Sequence, residues 1–192
     1  MFSAFLDTNV LWPSLQRDFM LSLAVEGLYR PLWSEVILAE LENEEQKKLE
    51  DRIHLPVVEA TARATHLIGE MRRAFEDAIV LDWEALEGSY GLPDRNDEHV
   101  VAAACVGGAG AIVTYNVKDF PSDRVPDSIQ VLLPKEFLLN TVSVDPMRSL
   151  MAVAEMARRR GGRDPKYTVD WILRELERRY SLESVVDLLR EA

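Results

Sequence analysis

Apolar residues along this chain fall into two kinds of run. Short continuous runs at Phe2 to Leu6, Ala78 to Leu81, Ala111 to Tyr115 and Ile129 to Leu133 have the length of buried strands. Longer stretches with helical spacing stand between them. A helix is predicted from about Pro13 to Glu26, with Asp7-Thr8-Asn9 as capping residues before it and Gly27 as its stop. Ser34 is placed to cap a second helix over Glu35 to Glu50, and Pro56 to open a third that reaches about Glu76. Asp94 to Val106 reads as a fourth, closed by Gly107-Gly108. Strands alternating with helices specify an α/β fold with a mainly parallel sheet. In such sheets ligands bind beyond the carboxyl ends of the strands. Asp7 follows the first strand directly, and Asn116 and Asp119 follow the third.

After Leu133 no strand signal remains. Pro134 to Leu139 suits a short helix, Thr141 to Asp145 a connection, and Pro146 the first turn of a further helix. Pro165 and Ser181 to Ser184 mark two more starts. The expected organisation is a catalytic-type α/β domain over residues 1–142 and a small helical extension over 143–192.

Composition narrows the setting. The 192 residues suffice for one domain with a proper core and a small appendage. Cys105 is the only cysteine, so no intramolecular disulfide forms, which suits a reducing compartment. The N-terminus has no basic segment and too short an apolar run for a signal peptide. Val100 to Val113 is too short to span a bilayer. The expectation is a cytoplasmic protein without a membrane partner. Charge is uneven: residues 1–142 hold 24 acidic and 12 basic side chains, residues 143–192 hold 9 and 10. The acidic part argues against broad non-specific nucleic-acid binding. It is compatible with a nuclease, because bound metal ions reverse the local charge. Arg158, Arg159, Arg160, Arg163 and Lys166 form one basic cluster, readable as a phosphate or acidic-partner contact or as a solvated helix end.

Four acids stand where a carboxylate is costly unless paired, hydrogen-bonded or bound to a cation: Asp7, Glu40, Asp97 and Asp119. Asp7 closes a buried strand and opens a helix, a position suited to ligation more than to capping alone. Glu40 shares a helical face with Val36, Ile37 and Leu41, while Glu35, Glu42, Glu44 and Glu45 read mostly as a solvated face. A buried ion pair is the competing reading for Glu40. Asp97 precedes Val100-Val101-Ala102-Ala103-Ala104. Asp94 or Asn96 can serve there as the cap, leaving Asp97 free to reach inward. Asp119 can equally be a loop aspartate making a turn, and Asn116 could orient it or bind a phosphate or a metal-bound water. His99 reads as a first-turn surface or packing residue. Together the four acids suggest one pocket for hard divalent cations, which favour oxygen ligands and act on phosphates.

Other chemistries have little support. His54, His66 and His99 lack zinc-protease spacing. Gly107-Gly108-Ala109-Gly110 follows a helix instead of opening one, so it is no phosphate loop. No Gly-x-Ser-x-Gly elbow occurs. The aromatics are scattered and form no stacking platform, and Trp12, Trp33, Trp83 and Trp171 read as core or interface residues.

Four segments carry a family resemblance: Phe5-Leu6-Asp7-Thr8-Asn9-Val10-Leu11, Ser34 to Leu41, Asp94 to Ala104, and Val113-Thr114-Tyr115-Asn116-Val117-Lys118-Asp119-Phe120. Over roughly residues 1–140 the chain resembles the PIN-domain ribonucleases, and most closely the VapC-type toxins of prokaryotic toxin–antitoxin pairs. The resemblance implies a PIN-like three-layer α/β/α fold. It implies that Asp7, Glu40, Asp97 and Asp119 form the acidic quartet, binding Mg²⁺ or Mn²⁺, with Asp94, Asn9, Thr114 and Asn116 in support. No quartet position departs from the pattern. The implied activity is endoribonuclease cleavage by an activated water, leaving 5′-phosphate and 3′-hydroxyl ends. The implied partners are an RNA substrate and a cognate antitoxin that covers the pocket, and a homodimer is compatible. A non-catalytic RNA-binding scaffold and a DNA-directed structure-specific nuclease are the alternatives. The scaffold would have lost an acidic ligand, and the DNA nuclease would carry helical arches or basic clamps.

Overall fold

The computed structural model describes residues 2–162 and 164–192. Four short strands, β1 (Ser3–Leu6), β2 (Arg30–Leu32), β3 (Ala111–Val113) and β4 (Gln130–Leu132), form one parallel sheet in the order β2-β1-β3-β4. Phe5 of β1 lies beside Leu32 on one side and Ile112 on the other. Successive strand side chains face opposite sides of a sheet. Ala4, Phe5 and Leu6 are all fully buried, so both faces are covered, as the three-layer α/β/α arrangement requires.

Three strands lie within the expected runs, and β2 is an addition. Arg30-Pro31-Leu32 carries a charge and a proline and shows no strand pattern. The Arg30 N–H bonds the Phe2 carbonyl at 2.8 Å. Alternation then turns the Pro31 nitrogen away from β1, where the lost donor costs no ladder bond. Conversely, the strand expected over Ala78 to Leu81 is reduced to one parallel bridge between Trp33 and Ile79. Asp82, at φ 59°, turns the chain immediately afterwards.

The helices follow the punctuation with some shifts. The first expected helix is α2 (Ser14–Val25), which begins after the extended Pro13, and a short helix α1 (Thr8–Leu11) precedes it where only capping residues were expected. Ser34 caps α3 (Glu35–Ile53) by accepting from the Ile37 N–H at 3.3 Å. α4 (Val57–Ala74) packs against α3. A 3-10 turn at Arg95–Asp97 leads into α5 (Glu98–Val106). Gly108, at φ +65°, makes the left-handed turn after α5. Gly107 is needed for close approach instead, since a Cβ there would stand 2.7 Å from Val80 Cγ2.

Four helices follow β4: α6 (Pro134–Val144), α7 (Pro146–Gly161), α8 (Val169–Tyr180) and α9 (Glu183–Glu191). The expected connection at Thr141 to Asp145 is almost entirely helix. Thr141 is buried and donates its hydroxyl to the Phe137 carbonyl, and only Asp145 breaks the run, capping α7 through the Arg148 N–H. The start expected at Pro165 falls at Val169, where Thr168 caps the Trp171 N–H. Ser181 ends α8 in a left-handed conformation, and α9 begins at Glu183. Met156, Ile172, Leu176, Val186 and Leu189 join the same hydrophobic cluster as Phe5, Phe19 and Phe137. Residues 143–192 therefore complete the core. Each large side chain so buried contributes about 1.5–3 kcal/mol.

Two charge readings change. Glu45 is not on a solvated face: it is buried against Arg17 at 3.4 Å and also pairs with Lys48. The basic cluster is occupied internally. Arg159 and Arg160 both bind Asp18 on α2, at 2.9 and 2.8 Å, Arg158 pairs with Glu155, and Lys166 pairs with Asp164. Arg163 lies outside the described residues.

Candidate active site

The two central strands end side by side and deliver the site. Asp7 follows β1 and its backbone N–H bonds the Val113 carbonyl at 3.1 Å. Thr114 follows β3 and is fully buried. Its hydroxyl donates to Asp7 Oδ2 at 2.6 Å. Asn9, on α1, donates one amide N–H to the same oxygen at 2.6 Å and the other to Thr114 Oγ1 at 3.0 Å. The Asn9 carbonyl oxygen accepts from the Tyr115 N–H, and Thr114 Oγ1 also accepts from the Asn116 N–H, both at 3.0 Å. Asp7, Asn9 and Thr114 thus form one closed network across the strand ends. Burial pushes the Asp7 carboxyl up from its ordinary value, while the bond from Thr114 and the Thr8 backbone oppose that rise.

Glu40 comes from the other side, on α3. It stands at the edge of the apolar face formed by Ile37, Leu38 and Leu41 and is half exposed. Thr8 donates its hydroxyl to Glu40 Oε2 at 2.5 Å, and His99 Nε2 lies 3.7 Å from Oε1. The buried ion pair considered for Glu40 occurs one turn later, at Glu45.

Asp94 caps the 3-10 turn by accepting from the Asn96 N–H at 2.9 Å, which leaves the Asp97 side chain outside any capping bond. The Asp97 carboxyl is pushed up to about 6, first by burial and then by the charges of Asp7, Asp94, Asp119 and Glu40. All four other acids therefore act on Asp97 at once, which sets Asp7, Glu40, Asp94 and Asp119 within electrostatic reach of it. Asp119 closes a 3-10 turn, Val117–Asp119, and its N–H bonds the Asn116 carbonyl at 2.9 Å. Asn116 thus sets the turn through its backbone.

Two residues, Thr8 and His99, join the site that the sequence did not single out, and Glu98 has a structural role nearby in the chain. Thr8 read only as a capping residue, yet it fixes Glu40. His99 is buried and tilted against Trp83, with ring centroids 6.0 Å apart, and its Nδ1 lacks a partner among the described residues. The packing reading for His99 holds, and its approach to Glu40 is additional. Glu98 is buried and accepts from the Tyr90 and Leu92 N–H groups at 3.0 and 2.8 Å. Burial works against its charge, but these bonds and those from Gly91 and Gly88 outweigh it and hold the carboxyl below its usual range. Glu98 thereby ties the loop over residues 88–92 to the start of α5. Nothing in the sequence separates Glu98 from its neighbours except an acid directly before an apolar run.

Among the described residues, no three His, Cys, Asp or Glu side chains stand close enough to hold one ion as they are placed. The donor set nevertheless fits a hard cation: it offers carboxylate oxygens, and Asp97 sits among four like charges.

The molecule is an α/β protein with a parallel sheet, and acids stand beyond the carboxyl ends of its two central strands. Residues 3–118, more than half of the chain, match the PIN domain family. The chain belongs to that family, whose members are generally nucleases and typically depend on divalent metal ions. Comparison with curated proteins and with solved structures gives no match. No described helix is long and apolar enough to cross a membrane.

Proposed function

We propose that this protein is a metal-dependent endoribonuclease, the toxin of a toxin–antitoxin pair. The observation that carries the nuclease reading is Asp97, raised to about 6 by burial and by four surrounding acids. Such crowding disfavours the charged form and is relieved by a bound divalent cation. Asp7, Asp97 and Asp119 would hold Mg²⁺ or Mn²⁺, with Glu40 binding directly or through water. Mg²⁺ keeps several of its waters and needs few direct carboxylate ligands. When bound, the ion supplies an acidified water and stabilises charge on the scissile phosphate.

The chain's own groups prepare the pocket. Thr114 and Asn9 fix the Asp7 carboxylate on Oδ2, so it enters any ligand shell without rotating. Thr8 does the same for Glu40. The sheet holds Asp7 and Thr114 at adjacent strand ends, which is more exact than a loop-borne site.

Toxin identity rests on the family resemblance and on charge. The acidic part suits a partner that inserts a basic side chain among the carboxylates. Such an antitoxin would bind less tightly at high salt. The deciding experiment strips the protein with chelator, restores Mg²⁺ or Mn²⁺, and follows single-stranded RNA beside Asp7→Asn. Metal-dependent cutting by the wild type alone supports the reading. Absence of both metal binding and cutting overturns it.

A further inference from the structure

Tyr115 follows Thr114 and is 44% exposed, although both its ends are held. Its backbone N–H bonds Asn9, the residue that orients Asp7. Its hydroxyl donates to Gln16 Oε1 at 2.5 Å. Gln16 is fully buried, and its amide N–H is fixed on the Val10 carbonyl at 2.9 Å. With the phenolic tip anchored inward, the exposed part of Tyr115 is its ring. Tyr180, at the end of α8, lies near the same point, close enough for its phenol to act on that of Tyr115. The result is an exposed aromatic ring one residue beyond Thr114, tied at its backbone to Asn9 and at its hydroxyl to Gln16, beside the acidic site.

Such a ring has a specific use here. Residues 1–142 carry twice as many acids as bases, and Arg158, Arg159 and Arg160 of α7 are engaged with Glu155 and Asp18. Phosphate attraction away from a metal-bearing site is therefore weak, and affinity for the rest of a strand must come largely from its bases. Stacking on an aromatic ring supplies that affinity without sequence demands, and a ring fixed at both ends loses little conformational freedom on binding.

We propose that Tyr115 is the base-stacking residue beside the acidic site, taking one nucleobase of a single-stranded substrate. The proposal rests on the nuclease reading above. The test titrates a fluorescent short single-stranded RNA against the Asp97→Asn chain in Mg²⁺, alone and combined with Tyr115→Leu or Tyr115→Phe. The titrations are repeated with RNAs carrying one abasic residue at each successive position. Tyr115→Leu, which keeps bulk but removes the ring, should weaken binding about tenfold or more. Tyr115→Phe, which keeps the ring, should stay near the parent. One abasic position should weaken binding to the parent and have no further effect in the Leu variant. Equal binding by the Leu variant, or the same abasic profile in both, overturns the stacking role and leaves the nuclease reading standing. If the Asp97→Asn parent binds no RNA and the wild type cuts none with Mg²⁺ or Mn²⁺, both fall together.

Discussion

Thr114 gives its hydroxyl proton to Asp7 Oδ2 at 2.6 Å, linking the ends of two strands that are 107 residues apart in the chain. The same hydroxyl oxygen receives N–H bonds from Asn9 and Asn116. Thr114→Val keeps the shape and removes all three bonds. It should cost about 1–3 kcal/mol of stability, because two N–H groups lose their acceptor. It should also weaken Mn²⁺ binding by about 10- to 100-fold, the usual effect of losing a partner of a metal ligand. The Thr114 bond opposes the burial that raises the Asp7 carboxyl. Without it Asp7 stays protonated to higher pH, so the half-point of Mn²⁺ binding should move upward. Calorimetric titration across pH checks both effects, and an unmoved half-point counts against this role.

Asp97→Asn should abolish cleavage and stabilise the metal-free protein. The sign follows from the carboxyl's rise from 3.8 to about 6. A carboxyl raised in the folded state favours folding below its unfolded value and loses that advantage as pH climbs through the folded one. The variant should therefore melt no higher than wild type below pH 4 and higher above pH 7. Asp97 is partly exposed, so after allowance for solvent screening the gain is about 1 kcal/mol. Thermal melts in chelator at the two ends of that window decide it.

Glu45→Gln should be more damaging than any other substitution of an acid on α3. It leaves the buried Arg17 guanidinium, already lowered by burial, without its carboxylate. Removing one partner of a buried pair costs about 3–5 kcal/mol. Glu35 pairs with Arg72 at the surface, and Glu35→Gln should cost about 1 kcal/mol or less. Urea unfolding of the two variants side by side measures the contrast.

Glu98→Gln should loosen the loop over residues 88–92. A neutral amide cannot accept two backbone N–H bonds on two oxygens as the carboxylate does, and the loss should be about 1–3 kcal/mol. Because the Glu98 carboxyl is held below 4.5, its contribution is present above that pH and fades as pH falls through its folded value. The difference between wild type and variant should therefore shrink in acid. Hydrogen exchange at Tyr90 and Leu92 across pH follows it.

Much of this was legible in the linear order. Short apolar runs marked β1, β3 and β4 because strands buried on both faces need continuous apolar residues. The four acids stood out because Asp7 and Asp119 sit past those runs, Glu40 sits at a helical spacing that sets it against an apolar face, and Asp97 follows a better cap. Pro134, Pro146 and Ser34 located helix starts through the missing donor of proline and the side-chain acceptor of serine. These are signals over a few residues, set by backbone sterics and local hydrogen bonds, and sequence carries them directly.

Tertiary structure alone decided the remainder. Arg30-Pro31-Leu32 became a strand because a free edge of β1 accepts a segment whose proline faces outward. Arg159 and Arg160 of α7 turned inward because Asp18, 141 and 142 residues away, lies beneath them. Glu45 became a buried partner of Arg17, and Thr8, Asn9 and Thr114 became the supports of Glu40 and Asp7. Each of these depends on which side chains meet across long loops. Such pairings are fixed by packing of the whole core, and no local periodicity records them.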